Sequence, residues 1–264
     1  MPNFKPLLLV VLAAGCGLRK DQTNVDSAEM AIDSSDSVES EGNMMMATVD
    51  GADMVALAAY TPDQVAARIA ANLATRWQPT GCATITQSGA NITVVYNDCT
   101  GPRGLLHVTG ELDLVVAVAL DGTISVHGTA TDLQVNLATI SVDANAVYTV
   151  SGTSHSVAVE TTGTGTGPRG NEIDHEGNYT VTWDSATTCR TISGHWSTEI
   201  TSTAGSATRS NDVDVERCIG MCPTGMITHH FLSGASLTVT FDGTATATWM
   251  TSTGKSGTVA LHCP

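Results

Sequence analysis

Apolar and polar residues alternate through most of the chain from Ala83 onward, and this pattern constrains the fold more than any other feature. Side chains at every second position of a strand share one face, so each alternating run predicts a strand with one apolar face. The apolar positions are Leu112, Leu114, Val116, Val118 and Leu120; Leu133, Val135 and Leu137; Val142, Ala144, Ala146, Tyr148 and Val150; Tyr179, Val181 and Trp183; Ile192, Gly194 and Trp196; Leu237, Val239 and Phe241; and Val259, Leu261 and Cys263. The positions between them are mostly Thr and Ser, which predicts a sheet with one buried face and one face in water.

Glycine-containing turn signals separate these runs and predict hairpins between neighbouring strands. They are Asp121-Gly122, Ser151-Gly152, Asp242-Gly243 and Thr253-Gly254. Strands joined by short turns form an antiparallel meander, here of about ten to twelve strands, which is near the usual limit for an open sheet. The expected fold class is therefore mainly β, a large antiparallel meander curled into a barrel-like or sandwich shape.

One N-terminal amphipathic helix is predicted to pack on this sheet. Thr61 offers an N-cap hydroxyl, Pro62 suits the first helical position, and Gln64 completes a capping box. An apolar stripe then recurs at every fourth residue, at Val65, Ile69, Leu73 and Trp77. Such a stripe is typical of a helix face packed on a sheet. The Ala- and Met-rich segment Met44–Ala59 is also expected to be partly helical.

The N-terminus of the chain predicts export. Leu7–Ala14 is an apolar stretch of eight residues that follows the cationic Lys5. It is too short to cross about 30 Å of hydrocarbon, so it predicts a signal peptide over residues 1–15. The sequence Leu-Ala-Ala-Gly-Cys that ends at Cys16 resembles the lipobox of bacterial lipoproteins. The resemblance implies cleavage before Cys16 and attachment of lipid to its thiol.

Residues 16–43 are predicted to form a disordered linker between the lipidated cysteine and a folded domain over residues 44–264. Acidic residues and Ser dominate the segment from Asp21 to Asn43, which contains no Lys or Arg. Low hydrophobicity combined with charge of one sign cannot offset the entropy lost on ordering. A spacer of this length spans roughly 25–30 Å and would hold the domain away from the lipid.

The formal net charge of −15 at pH 7 excludes one class of partner. Such a chain repels phosphate backbones, so nucleic-acid binding is not expected. Contact with the membrane is expected through the lipid on Cys16. The sequence identifies no protein or small-molecule partner.

Six cysteines besides Cys16 are predicted to form disulfides, because an exported chain folds in an oxidising compartment and an even number of cysteines can pair completely. They are Cys82, Cys99, Cys189, Cys218, Cys222 and Cys263. Cys82 and Cys99 bracket one hairpin and are expected to pair. The other four cysteines allow three pairings, which the sequence leaves open.

A zinc site is the alternative use of part of this set. Cys218 and Cys222 precede His229 and His230, and these are four potential zinc ligands. The spacing matches no standard zinc module, and adjacent histidines on a strand point to opposite faces. No metal and no cofactor are therefore expected.

Standard catalytic motifs do not occur in the sequence, whether a nucleophile elbow, a zincin helix, a P-loop or a dinucleotide fingerprint. Asp174 and Glu176 flank His175, but neighbours on a strand alternate faces. Three further carboxylates would have to meet across strands to act as a glycosidase pair: Asp132, Asp143 and Asp184. The remaining histidines are expected on the surface or on strand faces, at His107, His127, His155, His195 and His262. No catalytic residue is assigned, and the chain is not expected to be an enzyme.

Several segments together carry a resemblance to a known group of proteins. They are Asn97–Gly104, Gly165–Asn171, Cys218–Pro223, Asp242–Thr244 and Leu261–Cys263, and the first two share the sequence Thr-Gly-Pro-Arg-Gly. Over most of residues 82–263 the chain resembles uncharacterised secreted lipoproteins of myxobacterial type. The resemblance implies an envelope location and no known activity. Gly17, which is not Asp, favours the outer membrane by resemblance to enteric lipoprotein sorting.

Two functions remain as hypotheses. The first is a lipid-anchored cell-envelope protein that acts as a non-catalytic structural or interaction module. It predicts an exposed Thr/Ser face and no deep pocket with convergent polar groups. The alternative is a carrier of an apolar small molecule or lipid in a curled β-sheet, which predicts an apolar cavity lined by the aliphatic faces.

Overall fold

The computed structural model describes residues 60–261, apart from residues 76, 101–106, 136–137, 168–169, 188, 204, 219 and 232. The described part contains one helix and thirteen strands. They are α1 (Pro62–Leu73), β1 (Ala83–Ser88), β2 (Asn91–Thr100), β3 (His107–Val118), β4 (Ile124–Val135), β5 (Ala138–Ser151), β6 (Ser154–Thr166), β7 (Glu172–Asp184), β8 (Cys189–Ser202), β9 (Gly205–Cys218), β10 (Thr224–His230), β11 (Ser236–Asp242), β12 (Thr246–Thr251) and β13 (Ser256–Ala260).

The strands form one antiparallel sheet in which each strand pairs with the next one along the chain, from β1 to β13. This confirms the mainly β class and the antiparallel meander. The expected curl into a barrel or sandwich is wrong, because among the described strands β1 and β13 do not pair and the sheet is neither closed nor strongly curled. Closure requires strand tilt and register stagger to match around a ring, and an alternating pattern does not specify either.

Helix α1 begins as its sequence predicts. The Thr61 hydroxyl accepts a hydrogen bond from the Gln64 backbone N–H, and the Gln64 side chain accepts one from the Thr61 N–H, which completes the capping box. The predicted apolar stripe is buried, at Val65, Ile69, Leu73 and Trp77. It packs against β1, β2 and β3. Within the described residues, no helix is long and apolar enough to cross a membrane.

One face of the sheet, here called the inner face, carries nearly all of the buried apolar side chains. They form two clusters, one over α1 and β1–β8 and a second from β9 to β13. Val213 on β9 packs against both clusters. The predicted inner-face residues Leu120 and Val150 are instead exposed. Leu120 lies beyond the end of β3, and Val150 lies near the end of β5, opposite His155 on β6.

The opposite face, here called the outward face, is polar and solvent-exposed, as its Thr and Ser content predicts.

The four glycines of the predicted turn signals all have positive φ angles, between 63° and 85°, which other residues rarely adopt. Two aspartates, Asp98 and Asp132, also have positive φ and lie where the strand register shifts. Such bulges redirect nearby side chains, and Asp132 enters the site described below.

Several sequence predictions lie outside the described residues. They include the signal peptide, the lipidated Cys16, the linker over 16–43, the helical segment Met44–Ala59 and Cys263. The arginines of the repeated Thr-Gly-Pro-Arg-Gly sequence, Arg103 and Arg169, lie outside them as well.

Candidate functional site

A depression of about 480 Å³ lies on the sheet at one end of β4–β8. Most of its lining residues belong to the outward face and are hydroxyl-bearing or acidic. Four carboxylates border it, from Asp132, Glu172, Asp174 and Glu199. We call this depression the acidic groove. It is open to solvent and is lined mainly by oxygen-bearing side chains.

Strand register concentrates negative charge in the acidic groove. Asp174 on β7 lies directly opposite Glu199 on β8, and on its other side it lies opposite Thr164 on β6. Like charges directly opposite each other weaken a sheet, so this pair opposes folding at the place where it creates a negative potential. Carboxylates and hydroxyls in this arrangement can bind cationic groups, and they offer little to an apolar ligand.

The acids that flank His175 in the sequence lie on the opposite face of the sheet from the His175 ring. Asp174 and Glu176 extend to the outward face, where Glu176 accepts a hydrogen bond from the hydroxyl of Ser197. His175 lies on the inner face, with its Nδ1 2.8 Å from the hydroxyl oxygen of Thr198. The predicted alternation of faces at this place is therefore confirmed.

The three aspartates considered as glycosidase carboxylates have separate surroundings. Asp132 borders the acidic groove, whereas Asp143 pairs with His127. Asp184 accepts hydrogen bonds from the backbone N–H of Ala186 and from the Thr153 hydroxyl, and these lower its pKa. The hydrogen bonds of Asp184 therefore stabilise the turn that follows β7.

Two histidines that the sequence left unassigned share one carboxylate on the outward face. His195 Nδ1 lies 2.8 Å from Asp212 Oδ1, and His230 Nε2 lies 3.2 Å from Asp212 Oδ2. We call these three residues the His–Asp–His cluster. Sequence analysis missed it because the residues are far apart in the chain, and only the pairing of β8 with β9 and of β9 with β10 brings them together.

A second polar group lies on the inner face, at the junction of the two apolar clusters. The fully buried Asn211 holds His229 through its side-chain oxygen, which lies 2.8 Å from Nδ1. Burial, and then the charge of Arg209, lower the pKa of His229 to about 4, so this ring is neutral at pH 7. The Arg209 guanidinium lies 5.9 Å from the ring centre of Trp196. This group therefore places polar side chains beside the apolar clusters of the inner face.

Five of the six predicted disulfide cysteines lie in the described part of the chain, and all five are disulfide-bonded there. Cys82 bonds to Cys99 across the first hairpin, which confirms the predicted pair, and Cys189 bonds to Cys218 between β8 and β9. Cys222 is also disulfide-bonded. Disulfides of this kind fit an extracellular or envelope compartment.

The disulfides also decide against the alternative zinc site. Cys218 and Cys222 are both oxidised, so neither offers a thiolate. His229 lies on the inner face and His230 on the outward face, as adjacent strand residues must. Glu216 lies close to the sulfurs of Cys189 and Cys218, but those two sulfurs are bonded to each other.

No protein-family model, no curated protein and no solved structure matches the chain. The resemblance to secreted lipoproteins therefore stays a prediction.

Proposed function

We propose that this chain is a non-catalytic interaction module that lipid on Cys16 holds to the cell envelope, on the outer membrane. The observation that carries the proposal is the acidic groove on the polar outward face. We further propose that this groove receives a cationic segment of an envelope partner. The disulfides support a location outside the cytoplasm.

The carrier hypothesis receives less support from the same geometry. The apolar side chains of the inner face pack into the two clusters and are buried there. The depression on the sheet is bordered by four carboxylates and several hydroxyls. A lipid or apolar ligand would leave these carboxylates without water and without a partner, which is costly.

A peptide-binding experiment tests the role of the groove. Fluorescence anisotropy of a labelled oligolysine peptide is measured with the full-length protein in detergent, over a range of salt concentrations. We expect saturable binding that weakens as salt rises. The double variant Asp174→Asn/Glu199→Gln is expected to weaken binding, whereas Glu111→Gln on β3, an exposed charge outside the groove, is expected to change it little. If Glu111→Gln weakened peptide binding as much as the double variant does, the result would contradict a groove-specific site.

A labelling experiment tests the anchor separately. Cells grown with an alkyne fatty acid are expected to label the wild-type protein and not the Cys16→Ala variant. Fractionation followed by protease treatment of intact cells then identifies the membrane and the exposed side. Absence of label on the wild-type protein would reject the lipid anchor and leave the groove proposal to its own test.

A further inference from the structure

Formal charge is divided between the two faces of strands β7–β10. Their carboxylates all take outward-face positions, at Glu172, Asp174, Glu176, Asp184, Glu199, Asp212, Asp214 and Glu216. Their arginines all take inner-face positions, at Arg190, Arg209 and Arg217. Successive residues of a strand alternate between faces, so the register separates acids from arginines across a single layer. Although the chain has a net charge of −15, the inner face of these strands carries only positive formal charge.

Arg209 lies on this inner face, directly opposite Thr198 on β8. Its guanidinium lies 5.9 Å from the ring centre of Trp196, which precedes Thr198 by two residues on the same face. Arg209 is exposed to solvent, and no carboxylate among the described residues lies within ion-pair distance of it. A guanidinium matches the geometry of a carboxylate, so Arg209 can receive the carboxylate of a ligand.

The side chains beside Arg209 are uncharged and mostly aromatic. His229 is neutral at pH 7 because its pKa is about 4, and its Nδ1 lies 2.8 Å from the side-chain oxygen of Asn211. The ring of Phe231 lies edge-on to that of His229, with 4.6 Å between the ring centres. A ligand at Arg209 therefore meets one full positive charge beside aromatic rings.

Trp196 contributes a second unmet donor at the same place. Its side chain is almost fully buried, and its Nε1 has no hydrogen-bond acceptor in the described part of the chain. Buried polar groups nearly always have a partner, and an indole N–H can only donate. A carboxylate has two acceptor oxygens, which suffice for the Arg209 guanidinium and this N–H together.

We propose that Arg209 and Trp196 form a binding site for the carboxylate of a small aromatic acid. The guanidinium would donate two parallel N–H···O bonds to the carboxylate. The ring of the acid would pack against the rings of His229 and Phe231. The acid would lie where Arg209 is exposed and outside the packed apolar clusters. The acidic groove lies on the opposite face, so the two sites would bind independently.

A matched control exists on helix α1. The guanidinium of Arg68 lies 4.3 Å from the ring centre of Tyr60 and donates a hydrogen bond of 2.6 Å to the Tyr60 hydroxyl. Arg68 is exposed as Arg209 is, and it also lies over an aromatic ring. It differs because its guanidinium already has an oxygen partner. Arg68 therefore reports what an exposed arginine over a ring contributes by itself.

The test is a fluorine NMR titration of para-fluorobenzoate with the full-length protein in detergent. We expect saturable binding for which benzoate competes and benzyl alcohol, which lacks the carboxylate, does not. Arg209→Gln is expected to weaken binding roughly tenfold or more, because it removes the charge and both donated hydrogen bonds. Arg209→Lys is expected to weaken it less, since the charge remains. Arg68→Gln is expected to bind as the wild type does.

A second measurement uses the wild-type protein, so it does not depend on how a variant folds. Of the indole N–H signals of the four tryptophans, that of Trp196 is expected to shift as benzoate is added. It is identified as the signal missing from spectra of Trp196→Phe. The proposal is overturned if millimolar para-fluorobenzoate shows no saturable binding or if benzoate leaves the Trp196 signal in place. It is equally overturned if Arg68→Gln weakens binding as much as Arg209→Gln, or if benzyl alcohol competes as well as benzoate.

Discussion

The Tyr148 hydroxyl and His155 Nδ1 lie 2.6 Å apart on the inner face, and both side chains are almost fully buried. Trp183 stacks nearly parallel on the His155 ring, with 5.1 Å between ring centres. Three strands thus contribute to one buried aromatic group that contains a hydrogen bond between two polar atoms.

Replacing Tyr148 by Phe should destabilise the fold by about 1–3 kcal/mol, because it leaves a buried nitrogen of His155 without this partner. The free energy of unfolding from denaturant titration measures the change. As a control, Tyr60→Phe removes a hydroxyl that meets Arg68 in an exposed hydrogen bond, and it should cost less. Similar losses in both variants would contradict the importance of the buried bond.

The neutral state of His229 should make stability depend on acid pH. Its pKa is about 4 in the folded protein and about 6.5 when unfolded, so the unfolded chain binds the proton more readily. The contribution is therefore complete above pH 6.5 and is lost as the pH falls from 6.5 towards 4. In the His229→Gln variant the free energy of unfolding should fall less steeply over that interval. An unchanged slope would show that the pKa of His229 is the same in the folded and the unfolded protein.

Gly257 provides the space that Trp249 occupies on the neighbouring strand. The two residues are directly opposite each other, and a Cβ at position 257 would lie 2.5 Å from Cζ2 of the buried indole. Gly257→Ala should therefore cost about 1–3 kcal/mol of stability. The exposed change Ser256→Ala should cost under about 0.5 kcal/mol. A double variant with Trp249→Leu should recover part of the loss; strict additivity would rule out the clash.

The Cys82–Cys99 and Cys189–Cys218 disulfides should contribute comparably to stability. They close sequence separations of 17 and 29 residues, worth about 3 and 3.6 kcal/mol in the chain-entropy account. The variants Cys82→Ser/Cys99→Ser and Cys189→Ser/Cys218→Ser should each lose stability of this order in denaturant titration. Peptide mapping without reductant provides the pairing independently. A different pairing for Cys189 would contradict the β8–β9 register.

Local signals in the sequence predicted the elements of this fold well. The capping residues Thr61 and Gln64, the helix stripe and the glycine turns all have short-range physical causes. Turn geometry also joins each strand to the next, so the meander order follows from the same signals. The first disulfide was predictable because Cys82 and Cys99 bracket a single hairpin.

The candidate sites were much less predictable, because they depend on register across strands. Asp174 meets Glu199, and His195 meets Asp212, only when specific residues of neighbouring strands are opposite each other. A shift of one residue would move every side chain of a strand to the other face. Alternation in the sequence identifies the face of a residue but not its neighbour on the next strand.

By itself, the sequence determined an acidic chain whose period of two makes a two-faced antiparallel meander, since these properties depend on composition and on neighbouring residues. The tertiary structure alone decided that the sheet stays open, that its apolar face divides into two clusters, and that carboxylates and imidazoles meet on the outward face. These outcomes depend on twist, register and packing over the whole sheet, which no local pattern encodes.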